Sequence, residues 1–216
     1  MAATYKPPVL PPAKLAHIVL STTQFKPMVA FYKALLGGHS PFETDTLSFI
    51  TYDDEHHRIA IISLPEPTTS SLPVSQQRKG KGPGLEHIAF TYTTLRDLVS
   101  SYRQRKDLGI TPVWAVNHGP TMSMYYVDPD GNQVEMQVDA FGTPEEATRF
   151  FASPEFAENP FGVDVDPEEL ARRVDAGEPD EEVLRRPNVG PRSFESVPRP
   201  GPPKEVRESY EVEAVF

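Results

Sequence analysis

Cysteine is absent from all 216 residues, so no disulfide framework can form, and the composition is compatible with a reducing cytosol. No apolar run approaches the length of a bilayer span. Residues 1–12 are rich in proline and lack the apolar core of a secretory signal, so a flexible arm and a cytoplasmic location are expected. Positive charge is also scarce: 21 Lys and Arg stand against 31 Asp and Glu, a net charge of −10. Residues 1–141 hold 13 acids and 12 bases, net −1, while residues 142–216 hold 18 acids and 9 bases, net −9. A nucleic-acid partner would call for a basic face, and neither part supplies one. The acidity belongs to the tail, where such charge ordinarily serves to solvate a segment.

What is present is a duplication. Leu15-Ala16-His17-Ile18-Val19-Leu20 and Leu85-Glu86-His87-Ile88-Ala89-Phe90 lie seventy positions apart, each an apolar run with a histidine third. At the same offset Thr23 matches Thr93, Val29 matches Val99 and Tyr32 matches Tyr102. Runs rich in Ile, Val and Phe are strand material, and each precedes a segment of helical periodicity, over 25–36 and 94–108. Pseudo-symmetry would carry His17 and His87 to facing positions. A lone histidine in an apolar strand is ordinarily a core residue; its repetition at a fixed offset favours a ligand.

Two further strand-like runs, 121–127 and 133–138, flank Asp128-Pro129-Asp130-Gly131-Asn132, a strong turn signal. Glu135 sits mid-strand between Val134 and Met136, so Gln133, Glu135 and Gln137 form a polar face opposite an apolar one. A glutamate on a half-buried strand is usually a surface acid. Together with His17 and His87, on three different strands, it makes a facial-triad ligand set, which suits non-haem Fe(II) and leaves about three coordination positions for substrate and oxygen.

The order HIVL, EHIAF, DPDGNQVE resembles the vicinal oxygen chelate superfamily, the glyoxalase, bleomycin-resistance and type I extradiol dioxygenase group, across residues 14–140. DPDGN alone is a weak signal; the ordered combination is specific. The resemblance implies an α+β fold of two βαβββ modules whose curved strands form an open mixed β-barrel around one metal. Within the group, His56-His57-Arg58-Ile59-Ala60-Ile61 resembles the segment carrying the acid/base histidine of extradiol dioxygenases, with His57 the aligned residue. Tyr125 falls where those enzymes place an active-site tyrosine. His118 lies near another of their histidines, about two positions out of register. His57 could equally be solvated after the polar turn of residues 53–56, and Tyr125 could be a cross-strand packing aromatic.

The glyoxalase I branch needs a fourth ligand, a glutamate on the last strand of the first module. Residues 58–64, RIAIISL, contain no acid, which argues against a four-ligand isomerase. The resemblance therefore implies Fe(II), with Mn(II) as the alternative, and ring cleavage of a catechol by O2. In that chemistry His57 acts as acid/base and Tyr125 donates a hydrogen bond to an oxygen. The rival readings are another metal-dependent enzyme of the fold, an isomerase or thiol transferase, and a metal-free protein that sequesters its ligand.

The expected organisation is an arm over 1–13, modules over 14–65 and 85–140, a linker over 66–84 and an acidic extension over 141–216. The linker holds the basic cluster Arg78, Lys79 and Lys81 and is expected to be a solvated connection, the alternative being a loop at the cavity mouth that meets an anionic substrate. In the extension, Thr143-Pro144-Glu145-Glu146 and Asp166-Pro167-Glu168-Glu169 are helix starts, and a third lies near 179–186. From Pro187 a proline-rich strap is expected. The tail is too small for a core of its own, and we expect it to clasp a neighbour in a homodimer through Phe151, Phe156 and Phe161.

Overall fold

The structure is a computed structural model that describes residues 12–65, 85–198, 203 and 206–210. The expected arm through residue 11 and the linker with Arg78, Lys79 and Lys81 lie outside the described residues.

Strand β1 (Ile18–Thr22) leads into helix α1 (Phe25–Leu36), which Gly37 ends in a left-handed conformation, φ 62°, while the Gly38 N–H closes on the Lys33 carbonyl at 3.0 Å. Strands β2 (His39–Glu43), β3 (Leu47–Thr51) and β4 (Ile59–Ser63) follow. The unit then repeats as β5 (His87–Tyr92), α2 (Leu95–Asp107), β6 (Trp114–Asn117), β7 (Thr121–Val127) and β8 (Gln133–Asp139). Thr94 starts α2 by accepting the Asp97 N–H, 3.1 Å.

The duplication is visible in the strand orders. The first sheet runs β1-β4-β3-β2 with β1 and β4 parallel, and the second runs β5-β8-β7-β6 with β5 and β8 parallel. This is the expected mixed α+β pair of βαβββ modules. Among the described residues the sheets are two separate hydrogen-bonded units of four and five strands with no closed barrel. One face of each sheet packs on the helices. A single apolar cluster joins Met28, Tyr32, Leu35 and Ile61 of the first module to Leu98, Tyr126 and Met136 of the second. At roughly 1.5–3 kcal/mol for each fully buried large side chain, this shared core dominates the cohesion between modules.

Polar ties supplement it. The Tyr32 hydroxyl donates to Asp128 Oδ2 at 3.0 Å, and the Arg105 Nε donates to the Leu35 carbonyl at 2.7 Å. Asp128 also organises the expected turn, its Oδ1 accepting from the N–H groups of Asp130 and Asn132 at 3.0 and 2.8 Å. Burial raises the Asp128 carboxyl to about 6, against the pull of its hydrogen bonds. A carboxyl raised in the folded state favours folding while protonated. Its contribution is complete below pH ~4 and fades as pH rises through about 6, by at most about 3 kcal/mol. Urea midpoints at pH 4 and pH 7 should therefore show wild-type protein losing more stability, or gaining less, than Asp128→Asn. Parallel pH profiles would refute this account.

The extension is ordered into α3 (Pro144–Phe151), α4 (Pro154–Glu158), β9 (Val163–Asp164), α5 (Pro167–Asp175) and α6 (Asp180–Leu184). Thr143 and Glu146 form a reciprocal capping box, and Asp166 caps α5, as their spacing predicts. β9 was not legible: it adds to β6 as a fifth strand of the second sheet. The buried apolar residues of the tail are Leu170, Ala171, Val174 and Val183, packed into the chain's own core. α5 lies on α2, where Arg103 pairs with Asp175 and Lys106 with Glu168. Of the phenylalanines expected to drive a clasp, Phe151 is 51% exposed and Phe156 rests on its own neighbours Phe150 and Phe151. Most of the apolar residues that the described part of the tail buries belong to the stripe of α5, which fits α2, and Val183 of α6 adds to them. No described helix is long and apolar enough to cross a membrane.

Candidate active site

Cross-strand pairing sets the orientation of the second half-site. Glu135 on β8 pairs with Ala89 on β5 and with Tyr125 on β7, and Tyr125 pairs in turn with Trp114 on β6. Paired residues share a face, so these side chains stand on the face opposite the core, with Gln133 and Gln137 two residues to either side. His87 begins β5 on the same face, and its Nε2 lies 3.0 Å from Glu135 Oε2. Glu135 is 4% exposed. Burial would raise its pKa, but hydrogen bonds from His87 and Ser123 carry it below the ordinary carboxylate value; the bond to Glu135 raises His87.

Tyr125 and His118 complete this group. The His118 Nε2 is 3.1 Å from the Tyr125 hydroxyl and its Nδ1 is 3.0 Å from the Phe161 carbonyl. Trp114 stacks on Tyr125, ring centres 4.9 Å apart and 23° between planes. Burial, then the Glu135 charge, pushes the Tyr125 hydroxyl well above its usual range, so it stays protonated. Burial lowers His118 and favours its neutral imidazole.

The first half-site belongs to the other sheet. His17, immediately before β1, is exposed, and its ring lies 4.3 Å from that of His57. His57 stacks on Phe49 at 4.4 Å and is hydrogen-bonded to His56. Among the described residues no three His, Cys, Asp or Glu side chains gather as a metal site. The structure thus joins His87, Glu135, Tyr125 and His118, and separately joins His17 with His57. Donor chemistry of the second half-site fits a divalent metal, since His87 and Glu135 offer one imidazole and one carboxylate within reach of a common point, while His17, the third donor expected from sequence, stands with His57 on the other sheet.

Trp114, Phe49 and Ser123 were not singled out from sequence. The signal for Trp114 was available, since the β6–β7 hairpin closed by the turn at residues 118–120 places it opposite Tyr125; Phe49 offers no motif.

A sequence profile of the Glyoxalase/Bleomycin resistance protein/Dioxygenase superfamily matches residues 14–136. The chain belongs to this superfamily. Members similar to it include the protein named biphenyl-2,3-diol 1,2-dioxygenase 2 of Rhodococcus globerulus, 42% identical over 166 residues, 77% of this chain and 84% of the relative. Biphenyl-2,3-diol 1,2-dioxygenase 3 of the same organism is 42% identical over 178 residues, 80% of this chain and 88% of the relative. Among solved structures, a glyoxalase/dioxygenase from Nostoc punctiforme is similar at 19% identity and a TM-score of 0.46, covering 62% of this chain and 99% of that one. The superfamily match ends at residue 136, so the Phe161 carbonyl against His118 comes from beyond it.

Proposed function

We propose that this chain is an extradiol dioxygenase that opens the ring of a catechol-type diol with O2, with one Fe(II), or Mn(II) in its place, held by His17, His87 and Glu135. The observation that carries the reading is the convergence of His87, Glu135, Tyr125 and His118 on one sheet face in a chain 42% identical to two biphenyl diol dioxygenases. When bound, the metal supplies the Lewis acidity and electron transfer that couple a diol to O2. Glu135 and His87 would hold it from the buried floor of the second sheet. His57 accepts the proton leaving the diol and returns it later in the cycle, as a neutral imidazole can near pH 7. Tyr125 hydrogen-bonds a substrate oxygen, and Trp114 and Phe49 supply aromatic walls.

A homodimer belongs to the same proposal, because it supplies His17. Val19 and Ile62 share the outer face of the first sheet with His17 and are 52% and 38% exposed, an apolar face that nothing in the chain covers among the described residues. A twofold axis would lay this face of one protomer over the His87–Glu135 face of the other, and do so twice. A cytoplasmic setting and the module boundaries at 14–65 and 85–140, with the 66–84 linker, are part of the same reading.

The test is oxygen uptake by anaerobically purified, Fe(II)-loaded protein given biphenyl-2,3-diol or catechol. Stoichiometric uptake with a yellow ring-opened product is expected. Metal-loaded protein that binds the diol without consuming oxygen would remove the dioxygenase reading.

A further inference from the structure

The contact between His118 and the extension gives the tail a part in the site, an inference that rests on the proposed role of Tyr125. A carbonyl oxygen can only accept. The Phe161 carbonyl, 3.0 Å from His118 Nδ1, therefore selects the imidazole form that carries its proton on Nδ1. Nε2 is then left as an acceptor, so in the 3.1 Å contact the Tyr125 hydroxyl is the donor, its proton shared between His118 and the Glu135 carboxylate. The single phenolic proton is used, so the oxygen lone pairs of Tyr125 remain for substrate. Tyr125 would meet a diol hydroxyl as an acceptor, the reverse of the donor role expected from sequence.

The segment that presents Phe161 is built to hold this position. Asn159, 4% exposed, accepts from the N–H groups of Phe161 and Gly162 at 3.1 and 2.8 Å and donates to the Gly162 carbonyl at 3.0 Å. Gly162, φ 90°, passes so close to β6 that an added Cβ would stand 2.4 Å from the Asn117 carbonyl. Arg186 locks the turn to the histidine. Its side chain, 3% exposed, donates to the carbonyls of His118 at 3.0 Å, Asn159 at 2.8 Å and Glu155 at 3.2 Å, pairs with Glu155 Oε1 at 3.2 Å and covers the Phe150 ring. A buried guanidinium whose donors are spent on carbonyls from two separated segments acts as a fixed cross-brace. A second tie reaches Tyr125 from its other side: Asp164 of β9 accepts from the Trp114 indole at 2.7 Å, and Trp114 stacks on Tyr125.

We propose that the C-terminal extension sets the direction of the Tyr125–His118 hydrogen bond, with Arg186 as the positioning residue that holds the Phe161 carbonyl on His118. The experiment uses full-length protein labelled with ¹⁵N-histidine and loaded with diamagnetic Zn(II), read by long-range ¹H–¹⁵N correlation, beside steady-state kinetics of the Fe(II) enzyme. Wild-type His118 should show the Nδ1–H form. In Arg186→Ala it should shift toward the Nε2–H form or a mixture, with kcat falling roughly tenfold or more and KM moving by less than about threefold. Asn159→Ala, which loosens the same turn without removing a charge, should do likewise and serves should Arg186→Ala not fold. An unchanged His118 spectrum and kcat in a folded variant would overturn the proposal. The spectrum needs no turnover, so wild-type protein that cleaves no catechol would count against the dioxygenase reading and leave the tail to be judged by the histidine signal.

Discussion

Glu135→Ala protein should emerge from anaerobic purification with its metal content reduced from about one per chain to near zero and without ring-cleaving activity. The carboxylate stands on the buried floor beside His87, and no other described acid or histidine completes a three-donor group there. His87→Ala and His17→Ala should do the same. Elemental analysis decides the matter, and wild-type metal content in all three would end the triad assignment. A sharper result is expected from mixing. Chains carrying His17→Ala and Glu135→Ala, coexpressed, form heterodimers in which one of two sites inherits every donor, so about a quarter of wild-type activity should return. No recovery beyond the parent variants would place all three donors within one chain and remove the shared-site arrangement.

His57→Phe is expected to separate catalysis from ligation. Phenylalanine keeps an aromatic ring against Phe49, where the imidazole now stacks at 4.4 Å, but removes both nitrogens. The variant should retain its metal and bind the diol. Turnover should fall on the order of 10²–10⁴-fold, the range associated with a placed acid/base group. Stopped-flow measurement of product formation reads the effect directly. A rate within about twofold of wild type would leave His57 as a neighbour of His17 with no part in proton transfer.

The repeat unit was legible because two signals coincided: the His17 and His87 runs at one offset, and helices of matching periodicity behind them. Thr143 and Asp166 announced α3 and α5 for the same reason, since an oxygen-bearing cap followed by proline and acids satisfies free N–H groups in only one way. The two-residue β9 carries no alternation to read and exists only because β6 offers it a partner. Arg186 was equally silent. An arginine in a run of acids and bases looks solvated, and its burial follows from carbonyls turned toward it by Asn159 and His118, contacts that no local pattern encodes. At the candidate site, alternation correctly separated Gln133, Glu135 and Gln137 from the apolar face. It could not reveal that His17 and His87 stand on different sheets.

The two residues of β9 also bear on how the second sheet avoids pairing with other chains. β6 would otherwise end the second sheet with its backbone donors and acceptors open to any passing chain. Val163 and Asp164 occupy that edge, with the Val165 N–H bonded to the Ala115 carbonyl at 3.0 Å. They also place the Asp164 carboxylate at the rim, paired with Arg192. A short strand bearing a charge is a poor template for further pairing. The segment that tunes the histidine thus also keeps neighbouring molecules from zipping onto the sheet, so a chain shortened before residue 163 would face self-association as well as a loosened site.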